Sequence, residues 1–253
     1  MGCWWSRYGG YLVGFVSLFT LWHLAAVYLV GSVLFPPPSV VFRKAMVLLR
    51  NGVLIEHLWA SVQRILAGFI AGSLLGIPIG LAMGSFRSLR KILEPYTEFL
   101  RFIPSVAMIT VAVIWFGIGE ASKIFLIVYT TIFSVILNTA AGVSAIAPNK
   151  IRAAQSLGAT RTQIFFHVAL PATVPYILTG MRLAMANSFT TIVAAELIAA
   201  NNGLGKMLWD GRLFMLVDEI FVSLVTLGLL GFLVDRTFRW SIYTFAGKYS
   251  PTT

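Results

Sequence analysis

The stretch IRAAQSLGATRTQIFFHVALPATVPYILTG, residues 151–180, stands apart in a chain that otherwise consists largely of apolar runs. It holds Arg152, Arg161 and Gly158, and two prolines, Pro171 and Pro175, follow four residues apart. A proline inside a helix removes a backbone donor and clashes with the preceding turn, at a cost of about 3 kcal/mol or more. We therefore predict that the helix breaks at Pro171 and that this stretch does not cross a membrane.

An alternative topology exists for the same stretch. Residues 162–181 carry no charge and are long enough to span a bilayer. If they crossed the membrane, everything after them would have the opposite orientation. The paired prolines, with Gln163 and His167 upstream, favour the interpretation in which they do not cross.

The composition indicates that the solvent of the chain is a lipid bilayer. Hydrophobic residues make up 58% of the 253 residues, charged residues make up only 11%, and the mean hydropathy is +0.86. A soluble domain of this size presents more polar surface to water. The net charge of +10 does not indicate a nucleic-acid partner, because Lys and Arg at the ends of membrane spans are expected.

Charged residues, taken as span boundaries, predict an all-α polytopic membrane protein with about six transmembrane helices. With a cytoplasmic N-terminus, most Lys and Arg between the spans lie on the cytoplasmic side, as the positive-inside rule requires. Both termini are then predicted to be cytoplasmic, and Arg64 counts among the outside charges. The predicted spans are residues 10–34, 58–86, 95–118, 123–147, 178–200 and 218–239.

The second predicted span carries a glycine at every fourth position. Residues four apart lie on one face of a helix, so this face presents a groove along which another backbone can approach closely. We predict that the groove packs against a helix of the same chain, with contact to a second subunit as the alternative. The glycines are Gly68, Gly72, Gly76, Gly80 and Gly84.

A short amphipathic helix is predicted after the first span, beginning near Ser39 and reaching Arg50. Its polar side holds Arg43 and Lys44. The pattern is typical of a helix that lies on the membrane surface, and a short solvated connector is the alternative.

The segment at residues 148–177 is predicted to be a cytoplasmic loop of about thirty residues, far longer than the roughly 2 to 8 residues usual between packed helices. Its sequence predicts two short amphipathic helices, separated by a sharp turn at Gly158 and ending at Pro171. Ile164, Phe165 and Val168 give the second helix an apolar face with no membrane to enter. We expect that face to bind a protein partner.

The same segment resembles the EAA loop of ABC-importer permeases. The family pattern is Glu-Ala-Ala, three residues, Gly, nine residues, then Ile-x-Leu-Pro. Valine replaces isoleucine, and an arginine stands at the position of the name-giving glutamate, so a salt bridge of the wider family there cannot be carried over. The matching positions, which the resemblance implies as the ATPase-coupling loop, are Arg152, Ala153, Ala154, Gly158, Val168, Leu170 and Pro171.

Further stretches resemble the permease subunits of the nitrate, sulfonate and taurine importers, among them FPPPSVV, GIPIGLAMG, VIWFGIGEASK, LTGMRLA and VAAELIAANNGLG. The resemblance implies a single permease domain over residues 1–253 with the type I ABC importer transmembrane fold, in a bacterial inner membrane. It also implies a homodimer with a second copy, surrounded by membrane lipid, on which two cytoplasmic ABC ATPase subunits dock. A periplasmic or lipid-anchored binding protein would deliver a small, anionic solute.

Nucleotide chemistry is not expected of this chain itself. The fragment GLGKM around Lys206 lacks the glycine spacing and the Ser or Thr of a phosphate-binding loop. We therefore expect no enzyme activity and no bound cofactor, with ATP and Mg²⁺ used by the partner ATPase. Cys3 is the only cysteine and the three histidines are dispersed, so no metal site is predicted.

Polar residues of the fifth predicted span are candidates for a translocation path or gate. Asn187, Thr190 and Thr191 fall on one side at helical spacing, and Glu196 is the one clearly internal ionisable group near the outer end. A carboxylate would repel an anionic solute, so we favour a gate or scaffold role for Glu196 over ligand binding. Glu120 and Lys123 are expected on an exposed outer turn that either contacts the binding protein or is simply solvated.

An ion-coupled secondary transporter is the alternative function. Such proteins often have inverted repeats, broken helices at the bilayer midplane or several intramembrane charges. This sequence shows no convincing repeat and one such charge, so the importer permease is favoured. A purely structural membrane protein is a third possibility.

Overall fold

The computed structural model describes residues 2–31 and 33–246, and within these ranges all regular structure is helical. Both predicted cytoplasmic termini reach beyond the described residues. Short π-helical segments, Ala25–Val30 and Phe165–Ala169, follow α1 and α8. The helices are α1 Gly2–Leu24, α2 Pro38–Arg50, α3 Val53–Ser85, α4 Arg87–Arg101, α5 Met108–Phe116, α6 Glu120–Ser144, α7 Pro148–Ser156, α8 Arg161–Ile164, α9 Leu170–Ala199, α10 Leu204–Leu213 and α11 Val217–Ala246.

Five helical segments of the described chain are long and apolar enough to cross a membrane: Gly9–Val30, Val53–Ser85, Glu120–Ser144, Arg161–Leu197 and Val217–Trp240. They correspond to five of the six predicted spans. The predicted span at residues 95–118 is wrong as a continuous helix, because α4 ends at Arg101 and α5 begins at Met108. Pro104 lies in this break and disfavours helical conformation at the residue before it.

The predicted helix break at Pro171 is also wrong. One helical segment runs from Arg161 to Ala199, with a π-helical turn at Phe165–Ala169 in which the Leu170 N–H donates to the Phe165 carbonyl. Pro171 lies in the first turn of α9 directly after this wide turn, where a missing N–H is tolerated. Because the helix does not reverse, residues 162–181 are not a separate crossing.

The glycine face of α3 packs against α6 of the same chain, as predicted. A Cβ atom added at Gly72 would lie 2.7 Å from the Cβ of Thr131, and one at Gly80 would lie 2.6 Å from the Cβ of Thr139. The contacts advance by eight residues on each helix, so α3 and α6 run parallel. The chain must therefore return between them, and α4, the break at residues 102–107 and α5 make that return.

Helix α9 packs against both α3 and α6, and its direction is antiparallel to theirs. Gly142 of α6 contacts Tyr176, and Thr131 lies opposite Ser188 with their hydroxyl oxygens 3.2 Å apart. The buried core between the three helices is apolar: Ile65, Phe69, Ile127, Val135, Ala184, Met185 and Ile192.

The predicted amphipathic helix is α2, but part of its apolar side faces protein. Val41 and Leu48 are buried in a second core with Leu204, Met207 and Val222 of α10 and α11. On the polar side, the Lys44 ammonium lies 3.0 Å from a Glu219 carboxylate oxygen, and this hydrogen bond raises the pKa of Lys44. Helix α2 is thus fixed to α11 by both its faces.

Candidate coupling loop and translocation path

Helix α7 lies at the surface of the protein. None of its side chains is buried, and Leu157 directly after it is 88% exposed. Gly158 then turns the chain with φ +78°, a conformation that residues with a Cβ rarely adopt. The turn separates α7 from α8 and leaves an apolar side chain at the tip of the loop.

The turn is closed on its far side by a capping box. The Thr160 hydroxyl accepts a hydrogen bond from the Gln163 N–H, and the Gln163 side chain accepts one from the Thr160 N–H. These two bonds satisfy amides at the start of α8 that otherwise have no partner. The long segment α8–α9 therefore has a defined beginning immediately after the loop.

The structure divides the predicted coupling residues between two places. Arg152, Ala153 and Gly158 are exposed in the loop, and Ala154 is half-buried beside them. The other three form no part of a separate second helix, because they lie in the π-helical turn and the start of α9. These are Val168, Leu170 and Pro171, all half-buried.

A line of hydroxyl groups joins the break between α4 and α5 to the long helices. The Thr191 Oγ1 of α9 lies 2.9 Å from the Thr130 Oγ1 of α6 and 3.3 Å from the Ser105 Oγ of the break. The Tyr129 hydroxyl donates to the Leu100 carbonyl at 2.5 Å. The end of α4 and the break are thus linked by hydrogen bonds to α6 and α9.

These polar groups border a cavity of about 380 Å³. Of the predicted path residues, Asn187 lines it directly, and Thr191 bonds to two of its lining residues. Thr190 is exposed and does not line it. The other lining residues are Arg101, Phe102, Ile103, Pro104, Ser105, Tyr129, Thr130, Phe133, Ser134 and Leu137.

Glu196 does not reach this cavity. Its side chain is fully buried, and its carboxylate accepts hydrogen bonds from the Ser61 hydroxyl at 2.9 Å, Arg64 Nη1 at 2.7 Å and the Gly205 N–H at 2.9 Å. Gly203 contacts the same carboxylate with φ +124°, so a side chain there would collide with it. The chain between α9 and α10 is folded closely around this carboxylate.

Arg64 is the centre of the cluster. Its guanidinium makes five hydrogen bonds, to both oxygens of the Glu120 carboxylate, to Glu196, and to the Asn202 backbone and side-chain oxygens, at 2.6–2.8 Å. Lys123 also donates to Glu120 at 2.9 Å. We call Ser61, Arg64, Glu120, Lys123, Glu196 and Asn202 the buried ionic cluster.

This cluster corrects one prediction. Arg64 is buried within α3. Lys123 was expected on an exposed turn, but it is only 3% exposed because α3 covers it, whereas the Glu120 side chain stays 58% exposed. Arg64 lies four residues before Gly68, so the spacing of the glycine face already pointed to its burial against α6.

Comparison with known proteins now decides the family. The family model for the binding-protein-dependent transport system inner membrane component matches residues 72–244. The chain belongs to this family. It is a multi-pass permease subunit of an ABC importer, as the sequence resemblance predicted, and the family is not one of enzymes.

Two relatives are similar over most of the permease. It is 40% identical over 230 residues to the taurine transport system permease protein TauC of Escherichia coli, covering 88% of this chain and 83% of TauC. It is 34% identical over 180 residues to the nitrate import permease protein NrtB of Synechocystis sp., covering 71% of this chain and 66% of NrtB.

A solved structure shares the fold of the permease. An amino acid ABC transporter superposes with a TM-score of 0.63 over 80% of this chain and 97% of that one, at 17% identity. The predicted type I ABC importer transmembrane fold is confirmed. At this identity the likeness concerns the fold alone.

Proposed function

We propose that two copies of this permease form the translocation path of an ATP-driven importer for a small anionic solute. A periplasmic or lipid-anchored binding protein delivers the solute, and two cytoplasmic ABC ATPases drive transport. The names of TauC and NrtB support the solute class, since taurine carries a sulfonate and nitrate is an oxyanion. Both termini are then cytoplasmic.

The observation that carries this proposal is the exposed loop at α7. An unpartnered apolar side chain at the tip of a folded loop suits a protein partner, and Leu157 occupies that position. The ATPase docks there, with Arg152 contributing a positive charge where the family pattern has a glutamate. ATP and Mg²⁺ are bound by the ATPase and not by this chain.

Movement of the loop is transmitted through a single long segment. The helical segment from Arg161 to Ala199 begins at the loop and carries Asn187 and Thr191 at the cavity and Glu196 in the buried ionic cluster. A tilt imposed at α7 by ATPase closure therefore reaches both sites as a rigid-body motion. No catalytic side chain on the permease is needed for this step.

The first test is purification of the tagged permease from its native membrane in mild detergent. We expect an ABC ATPase to co-purify, with two ATPase subunits for two permeases. Leu157→Asp is expected to remove the ATPase without reducing the amount of permease, whereas Leu157→Met keeps it. A preparation free of ATPase in several detergents would instead favour an ion-coupled carrier.

The transport step is tested in proteoliposomes that contain the permease, the ATPase and the binding protein. Uptake of nitrate or a sulfonate should require ATP and continue after the ion gradient is dissipated. Uptake that is independent of ATP and stops when the ion gradient is dissipated would refute the proposed function.

A further inference from the structure

The cavity beside the break between α4 and α5 contains one charged lining side chain, Arg101. Its guanidinium stacks on the ring of Phe102, 4.7 Å from the ring centre. Among the described residues, no carboxylate forms an ion pair with it. Arg101 is exposed and is therefore a positive charge at the edge of a mixed polar and apolar cavity, with its donors available.

The position of Arg101 along the membrane makes this charge significant. The Tyr129 hydroxyl donates to the Leu100 carbonyl, which fixes Arg101 near the level of Tyr129 on α6. Tyr129 lies nine residues from Glu120 and fifteen from Ser144, so at about 14 Å and about 22 Å from the two ends of that helix. This level is well inside a hydrocarbon core about 30 Å thick. A charge at that depth is costly and by default marks a functional site.

The remaining lining residues define which ligand fits. Ser105, Thr130, Ser134 and Asn187 supply uncharged hydrogen-bonding groups, and Phe133 and Leu137 supply apolar surface. No carboxylate lines the cavity, so a ligand ammonium group has no ionic partner there. A guanidinium matches an oxyanion with two parallel hydrogen bonds.

We infer that Arg101 is the anion-binding residue of a solute site in this cavity, selective for a small organic oxyanion of the alkanesulfonate class. The sulfonate head binds the guanidinium and the neighbouring hydroxyls, and the short alkyl tail lies against Phe133 and Leu137. This assignment rests on the proposed function, in which the permease carries a small anionic solute. The Arg101 site would give the permease a selectivity for anions of its own. A zwitterion such as taurine binds less tightly than ethanesulfonate, since its ammonium gains no partner.

The experiment measures equilibrium binding of labelled ethanesulfonate to the purified permease–ATPase complex, without the binding protein. Arg101→Gln should weaken binding on the order of ten- to a hundredfold, the usual loss for a hydrogen bond to a charged group. Arg101→Lys should give an intermediate affinity, because the charge remains but the planar fork is lost. Arg87→Gln is the matched control, since it makes the same charge change on an exposed residue of α4.

A neutral analogue separates charge recognition from loss of structure. The wild-type complex should prefer ethanesulfonate to ethanesulfonamide, and Arg101→Gln should lose that preference while it still co-purifies with the ATPase. Three results would overturn the inference: no binding by the wild-type complex at millimolar concentration, unchanged affinity in Arg101→Gln, or an equal loss in Arg87→Gln. If no ATPase co-purifies with the wild type and uptake ignores ATP, the proposed function itself has failed.

Discussion

Replacing Arg64 by methionine tests the buried ionic cluster most directly. The substitution removes five hydrogen bonds and leaves the fully buried Glu196 with only the Ser61 hydroxyl and the Gly205 N–H. Breaking a buried ion pair on one side costs about 3–5 kcal/mol, because a buried charge loses its partner. Glu120 adds little to this cost, since its side chain is 58% exposed and water replaces the lost contact.

The free-energy cost of breaking the ion pair sets the size of the expected thermal shift. For a protein of this length, 1 kcal/mol corresponds to a change of about 2–4 °C in the midpoint of unfolding. Arg64→Met should therefore lower the apparent midpoint in detergent on the order of 10 °C, measured by size-exclusion fluorescence after heating. Arg90→Met is the control, because the pair between Arg90 and Glu94 is exposed, with a nitrogen–oxygen distance of 3.3 Å. That variant should lose about 1 kcal/mol or less.

A double variant identifies the cause of the loss. Glu196→Gln keeps the shape and hydrogen-bond acceptor of the side chain but removes its charge. In combination with Arg64→Met it should restore part of the lost stability, because no unpaired carboxylate is then buried. Equal midpoints for Arg64→Met and wild type, or a double variant less stable than Arg64→Met, would contradict the assignment of Glu196 as a buried anion held by Arg64.

Two further predictions concern glycines. Gly72→Ala should destabilise the permease by about 1–3 kcal/mol, because the added Cβ meets Thr131 at 2.7 Å. Gly228→Ala is the control and should leave the melting midpoint unchanged, since a Cβ there has no atom within 4 Å. Equal midpoints for Gly72→Ala and wild type would refute the packing of α3 on α6. Gly158→Val should abolish ATP-dependent uptake in proteoliposomes with normal membrane insertion, while Gly158→Asn keeps part of it because asparagine tolerates positive φ. Normal uptake by Gly158→Val would refute the coupling role of the loop.

The sequence predicted the packing face of α3, because glycines at every fourth position lie on one face of a helix. It left open whether α6 or a second subunit fills the groove, since composition does not identify a partner. Burial of Lys123 is a consequence of that same packing: Arg64, one turn before Gly68, meets Glu120 and α6 at the corresponding level. A charged residue that lies four positions from a glycine face is therefore predicted to be buried. That signal is missed when charged residues are simply taken as the ends of spans.

Prolines were the least reliable guide to the fold. Pro78, Pro95 and Pro175 all lie inside helices, whereas the chain is non-helical around Pro104. Within a membrane, a break persists only where the freed backbone groups find other partners. Here the Tyr129 hydroxyl lies 3.4 Å from the Ile103 carbonyl in the break and also donates to the Leu100 carbonyl at the end of α4. That partner comes from another helix, so the sequence around Pro104 does not reveal it.

The cavity was predicted only in part for the same reason. Asn187 and Thr191 follow from the polar side of one helix, but Arg101 belongs to a segment that was predicted to be one continuous span. The depth inferred for Arg101 depends on the break after α4 and on the bond between the Tyr129 hydroxyl and the Leu100 carbonyl. A residue whose position is set by contacts among three elements is not visible in the sequence pattern of any one of them.

The packing also determines which parts of the permease can move independently. Helices α3 and α6 are in close backbone contact along the glycine face, and the buried ionic cluster ties both to the end of α9. In the proposed mechanism these three helices move as one body when α7 is displaced. The segment at residues 102–107 bonds to them through the Ser105 hydroxyl, 3.3 Å from Thr191 Oγ1, and the Ile103 carbonyl, 3.4 Å from the Tyr129 hydroxyl. We therefore expect relative motion at this segment, and we expect it to change the cavity that Arg101 lines while the core of α3, α6 and α9 stays intact.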